Sequence, residues 1–171
     1  MENYTIKLLS FSDSRKFFEL MINNKNRLED FFAGTVKHTQ TLESTINYCR
    51  EIELKIEKKE YFPYLIFDKD TPIGFIDFKN IDWSVPKAEI GAFIDHNFEG
   101  KGIITQSFKY LLKEAVKKHE FKKLYCRISK DNIRSIKLAK GCGFALEGVM
   151  QRDYCTTDGK LIDLNYYGML I

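Results

Sequence analysis

Two glycines one residue apart, Gly100 and Gly102 in the stretch HNFEGKGIITQSF, stand where an apolar strand pattern gives way to a helical one. Upstream, Ala88 to Asp95 reads as a strand. Downstream, Ile104, Phe108, Leu111, Leu112, Ala115 and Val116 recur at helical spacing, with Lys and Glu opposite. A strand, a glycine turn and a helix at mid-chain commit the fold to a sheet with helices packed on it. Such a turn is also a ready phosphate site, because amide hydrogens and the positive helix end face the anion while glycine admits it to the backbone. A plain strand-to-helix connection would look the same. A Walker loop is excluded, since no GxxxxGK followed by Ser or Thr occurs. A dinucleotide fingerprint is excluded too, because Thr105 occupies its third glycine position and the loop comes past mid-chain.

Around this unit the chain alternates strand and helix signals. Tyr4 to Leu9 reads as an opening strand, and Asp13 to Ile22 carries Phe17, Phe18, Met21 and Ile22 at helical spacing. Leu42, Ile46, Cys49, Ile52 and Ile56 mark one face of a longer helix. Tyr61 to Phe67 and Pro72 to Phe78 flank a turn-like Asp68–Pro72 and predict a hairpin. Lys123 to Ser129 is strand-like, Asp131 or Asn132 can cap a short helix through Leu138, and Gly141 and Gly143 stop it. Phe144 to Met150 and Leu161 to Met169 close the chain as two strands joined by a polar turn at Thr157–Gly159. With no repeat, linker or low-complexity tract in 171 residues, the expectation is one α+β domain over residues 1–171.

Hydrophobic residues at 44% and charged residues at 30% exclude a disordered or collagen-like chain. A net charge of +3, with lysine doublets set beside glutamates, lacks the basic stripe of a nucleic-acid binder. No segment is apolar enough for a membrane span and no apolar run follows a basic start, so the expected location is the cytoplasm. Cys49, Cys126, Cys142 and Cys155 form no CxxC pair, and His38, His96 and His119 are scattered, so no metal is assigned. Cys142, in GCGF, reads as a small buried thiol rather than a nucleophile.

Three ordered segments carry a resemblance to a known family. The loop Glu99-Gly-Lys-Gly102-Ile-Ile104 follows the pattern Gln/Arg-x-x-Gly-x-Gly/Ala at its central glycine, departing at Glu99 and Ile104. The run IDWSVPKAEIGAFID, Ile81 to Asp95, precedes it, and DNIRSIKLAKGCGF, Asp131 to Phe144, follows as DNxxSxxxxxxxGF. Together they resemble the GNAT superfamily of acyl-CoA-dependent N-acetyltransferases, and within it the subgroup of ribosomal-protein serine and alanine N-acetyltransferases. The resemblance implies a mixed, mostly antiparallel sheet of about six to seven strands flanked by helices, with a splayed strand pair holding acyl-CoA.

It implies acetyl-CoA as cosubstrate and a primary amine as acceptor, possible acceptors including a ribosomal-protein N-terminus. The amides of Gly100, Lys101, Gly102, Ile104 and Thr105 would hold the pyrophosphate; the Ile94 backbone and the Asn132 side chain would hold pantetheine. Asn132 also fits a plain helix cap. An amide of Ile94 or a neighbour would stabilise the oxyanion. Glu89 would take the ammonium proton through a water, or else is a surface residue beside Lys87. Ala139 stands where many relatives carry the tyrosine that protonates the thiolate, and Ser135, three positions after Asn132, is the donor implied instead, with Tyr154 in reserve. The acceptor cleft would lie around Asn26–Phe32 and a loop at Gln151–Tyr154, where Glu29, Asp30 and Asp153 could attract a cationic amine. A polyamine or aminoglycoside acetyltransferase and a non-catalytic acyl-CoA sensor stay open as alternatives. The oligomeric state, monomer or homodimer, is likewise open.

Overall fold

The computed structural model describes residues 4–171, without the side chains of Ala115 and Val116; those two positions of the predicted stripe, and residues 1–3 of the expected domain, lie outside the described residues. The elements run β1 (Tyr4–Leu8), α1 (Ser14–Leu28), α2 (Ala33–His38), α3 (Leu42–Glu57), β2 (Phe62–Asp68), β3 (Thr71–Asp82), β4 (Lys87–Ile94), α4 (Ile103–His119), β5 (Lys123–Ser129), α5 (Ile133–Gly141), β6 (Ala145–Cys155) and β7 (Leu161–Leu170). The strands form a 7-stranded sheet in the order β1-β2-β3-β4-β5-β7-β6. It is mostly antiparallel, as expected, with β4 and β5 running parallel over Lys87–Glu89 and Lys123–Tyr125. Parallel neighbours need a crossover, and α4 supplies it. The residues fall into two compact units, one reaching to Asp77 and including Ala92–Ile104, the other comprising Phe78–Gly91 and Thr105–Ile171.

In the first unit α1, α2 and α3 bury their apolar stripes with Leu65, Phe67, Phe75 and Phe93. Phe17 stacks on Phe75 with ring centroids 5.4 Å apart, and Phe32 meets Phe93 edge-on at 5.3 Å. Full burial of a phenylalanine is worth roughly 1.5–3 kcal/mol, so this aromatic cluster anchors the helices. Helix α1 runs past the predicted end at Ile22, because buried residues recur at Leu20, Met21, Asn24 and Leu28. Asn24 continues the stripe with an amide, whose Nδ2 donates to the Leu20 carbonyl at 3.0 Å. Thr41 starts α3 by accepting from the Ser44 amide at 3.1 Å.

In the second unit β5 pairs with β7 from Lys123↔Leu170 to Ser129↔Leu164. Leu124, Cys126 and Ile128 supply its apolar face, and Phe108 and Phe144 meet at 5.9 Å. Among the described residues of α4, Ser107, Phe108, Leu111 and Leu112 are buried here and Ile103 is buried at the end of the first unit, so Ile103 rather than the half-buried Ile104 is the buried residue at the helix start. Strand β6 extends to Cys155 rather than ending at Met150. Its register with β7 shifts between Met150 and Tyr154, and Arg152 takes φ +52°. The Gln151–Tyr154 segment, expected in a loop, is therefore an irregular part of β6. A bulge adds a residue without ending the strand, which breaks the alternation that sequence reading depends on.

No helix among the described residues is long and apolar enough to cross a membrane. No group of three or more His, Cys, Asp or Glu among them is arranged to hold a metal.

Candidate functional site

Within the first unit, β4 ends at Ile94 and Asp95 receives the chain. The Asp95 amide donates to the Ile73 carbonyl at 2.7 Å, and its Oδ1 accepts from the Asn97 amide at 2.9 Å, turning the backbone through His96–Phe98. Gly100 and Gly102 then take φ +74° and +73°, and α4 begins at Ile103. A Cβ on Gly100 would meet nothing within 4 Å, so glycine is needed for its conformation rather than for room. Left-handed glycines on either side of Lys101 are the kind of backbone from which anion-binding nests are built, and the first turn of a helix adds amides without intrahelical partners. The predicted donors Gly100, Lys101, Gly102, Ile104 and Thr105 all lie in this loop and first turn. Lys101 Nζ sits 4.8 Å from the Phe98 ring centroid.

Two residues join this loop from α1: Asn24, unmarked in the sequence, and Arg27, marked there only as part of the acceptor-cleft stretch Asn26–Phe32. Asn24, only 1% exposed, donates Nδ2 to Asp95 Oδ2 at 2.7 Å. Its Oδ1 accepts from Arg27 Nη1 at 3.0 Å and from the His96 amide at 3.4 Å. Arg27 pairs through Nη2 with Glu99 and brings Nη1 to 3.5 Å from the Ile94 carbonyl. The signal was a polar residue on the apolar face of α1, since an amide buried at a stripe position must find partners. Burial alone would raise the Asp95 carboxyl; the hydrogen bonds from Asn24 and Asn97 outweigh it and hold the group below the usual carboxylate value.

The second unit holds two constellations. Asn132 caps α5, its Oδ1 accepting from the Ser135 amide at 3.1 Å, and the half-buried Ser135 lies in the first helical turn. The cap engages the acceptor of Asn132, and the amide still has its Nδ2 donor to offer. Glu89 is 5% exposed on β4, which overturns the surface reading; Lys87 pairs with Asp82 at 3.5 Å instead. Glu89 Oε2 accepts from Asn80 Nδ2 at 2.7 Å and from Arg127 Nε at 3.0 Å, with Lys79 Nζ at 4.0 Å from Oε1. Arg127 Nη1 also reaches Asp153 Oδ2 at 2.9 Å. Asp153 thus shares the Arg127 guanidinium with Glu89, and Glu29 has Lys25 at 3.7 Å, so neither is the bare anion expected of an amine attractor.

The remaining candidates are positioned as follows. Tyr154 lies on β6 opposite Ile162. Ala139 is 2% exposed, and its carbonyl accepts from the Phe144 amide at 3.1 Å. Cys142 is half-buried, and burial raises its thiol above the ordinary value, as a packed rather than nucleophilic cysteine requires. His38 stacks on Tyr48 at 4.6 Å, and His119 lies 6.1 Å from the Phe78 ring.

Comparison with known proteins bears on this arrangement. Residues 4–145 match the family described as acetyltransferase (GNAT) domain. The chain is 32% identical over 177 residues to the putative ribosomal N-acetyltransferase YdaF of Bacillus subtilis (strain 168), covering 99% of this chain and 92% of that protein. It is 32% identical over 108 residues to the ribosomal-protein-serine acetyltransferase of Escherichia coli (strain K12), covering 63% of this chain and 60% of that protein. Among solved structures, a ribosomal L7/L12 alpha-N-protein acetyltransferase in complex with coenzyme A superposes with TM-score 0.92 at 23% identity, covering 100% of this chain and 96% of that one.

Proposed function

The chain belongs to the GNAT acetyltransferase family, and we propose that it moves the acetyl group of acetyl-CoA to a primary amine, a protein N-terminal amine being the acceptor class, by direct attack in a ternary complex. The carrying observation is the glycine loop: two left-handed glycines stand immediately ahead of α4, a backbone pattern that suits an anion such as the coenzyme pyrophosphate. That two relatives carry the names of ribosomal acetyltransferases supports the acceptor class.

In this reading Gly100, Lys101, Gly102, Ile104 and Thr105 bind pyrophosphate through their amides. The Ile94 backbone and Asn132 Nδ2 hold the pantetheine arm. The neutral amine attacks the thioester carbonyl, the C–N bond forms, and the oxyanion is met by the Ile94 amide or its neighbour. Collapse breaks the C–S bond, and the Ser135 hydroxyl donates its proton to the departing thiolate. Glu89 receives the amine's proton through water. Asn80 and Arg127 hold this carboxylate in place by donating to its Oε2.

The test is thiol release from acetyl-CoA by the purified chain with N-terminal peptides of ribosomal proteins, polyamines and aminoglycosides, after calorimetry has measured coenzyme binding. Turnover is expected with the peptides. Turnover confined to polyamines or aminoglycosides would replace the acceptor class. Tight coenzyme binding without turnover on any acceptor would convert the enzyme reading into that of a coenzyme sensor.

A further inference from the structure

Glu99 immediately precedes the glycine nest, where a fixed carboxylate would oppose any phosphate ligand. Two like charges 4–6 Å apart repel by about 1 kcal/mol in water and by several kcal/mol near a protein surface. The structure answers this carboxylate from the far end of the sequence segment: Arg27, in the last turn of α1, forms an ion pair with it. We propose that Arg27 is a positioning residue for coenzyme binding, a guanidinium whose task is to cancel the charge of Glu99 beside the anion-binding loop; this rests on the reading that the loop receives the coenzyme pyrophosphate.

The pair is held in place rather than loosely apposed. Arg27 Nη1 donates to Asn24 Oδ1 at 3.0 Å, and the same nitrogen lies 3.5 Å from the Ile94 carbonyl at the end of β4. Asn24 in turn has both donors and its acceptor engaged, with Leu20, Asp95, Arg27 and the His96 amide as partners. A buried amide so fully committed fixes where the guanidinium sits relative to the loop. Ordinary surface ion pairs lack such support and are worth little. Because the pair sums to zero charge, the nest presents its amides to the ligand without a net negative flank. The departure of Glu99 from the usual Gln or Arg thereby ceases to be a defect: α1 supplies the charge that position leaves out.

A double-mutant cycle on coenzyme A binding, read by calorimetry, separates charge cancellation from a merely structural strut. Arg27→Gln removes the charge and keeps donors for Asn24. It should weaken coenzyme A binding about tenfold, as a bare carboxylate a few ångströms from a phosphate would. Glu99→Gln should bind at least as tightly as the wild type, and Arg27→Gln/Glu99→Gln should return to wild-type affinity. The Arg27→Gln deficit should shrink as salt is raised. It should vanish for S-acetyl-pantetheine, which lacks the pyrophosphate. A strut behaves otherwise: both single variants weaken binding, the double variant stays weak, and acetyl-pantetheine suffers equally. Any of these results overturns the proposal. Should Arg27→Gln fail to fold, Glu99→Gln decides alone, since a severalfold loss of affinity there contradicts charge cancellation. A wild-type chain that binds no coenzyme A would instead defeat the functional reading of the loop.

Discussion

The Asn132 amide carries an acceptor and a donor, and the cap of α5 uses the acceptor on the Ser135 amide. Asn132→Asp keeps a good capping oxygen, deletes the donor and adds a charge, so it spares the cap while removing the ligand contact, and an affinity loss that persists at high salt belongs to the donor rather than to the charge. Stability should stay within about 0.5 kcal/mol while coenzyme A affinity falls up to about tenfold, the worth of one hydrogen bond. Asn132→Ala should lose the cap as well, at ~1 kcal/mol. Wild-type affinity in the aspartate variant would take the pantetheine contact away from this side chain. Ser135→Ala should lower kcat by about 100-fold or more with coenzyme A affinity unchanged, as removal of a general acid does. Equal turnover in wild type and variant would take the serine out of the mechanism. At Gly100 the question is conformational: Gly100→Ala meets open space, so its cost should be the left-handed backbone term of about 1–2 kcal/mol, read as a lowered Tm and weaker coenzyme binding together.

At the scale of elements, the sequence was most legible where periodicity ran unbroken. Strand β5 coincides with Lys123–Ser129 as predicted, and α3 begins at Leu42 on the expected face. Legibility failed where a local irregularity interrupted the period without ending the element. Asn80 at φ +49° lies within β3, which runs on to Asp82, and Arg152 at φ +52° sits inside β6. Helix α2 was missed for another reason: at 6 residues it is too short to show a stripe. The site divides the same way. Its loop glycines and the Asn132–Ser135 turn are local in sequence and could be read there, whereas Glu89–Arg127–Asp153 and Asn24–Asp95 are pairings across strands and loops that spacing does not encode. A local device remains checkable alone: Thr41→Ala removes the oxygen that caps α3 and should cost ~1 kcal/mol in chemical denaturation, with Thr41→Ser recovering most of it.

For the molecule as a whole, acid should find its weak point in buried carboxylates of the first unit. Asp13 is 3% exposed and Asp95 9% exposed, and each sits where burial by itself would raise its carboxyl. Lys7 and Ser10 at Asp13, and Asn24 and Asn97 at Asp95, instead stabilise the charged forms and hold both groups below their ordinary value. The unfolded chain therefore takes up these protons more readily than the folded one. Their contribution to stability is complete above the ordinary aspartate value of about 3.9 and is lost as pH falls through the lower folded values. Meanwhile the chain starts at a net charge of +3 and becomes more positive as carboxylates protonate, adding a general repulsion that any variant shares. Asp95→Asn isolates the specific part, because the partners facing that carboxylate are the Asn24 amide, the Asn97 backbone and His96, whose Nδ1 lies 3.7 Å away. Thermal midpoints recorded from neutral pH to about pH 3 should show the variant less stable than wild type at neutrality, with the two curves converging below about pH 4. A gap that stays constant across the range would mean that the Asp95 charge contributes nothing through its protonation, and that its hydrogen bonds act on shape alone.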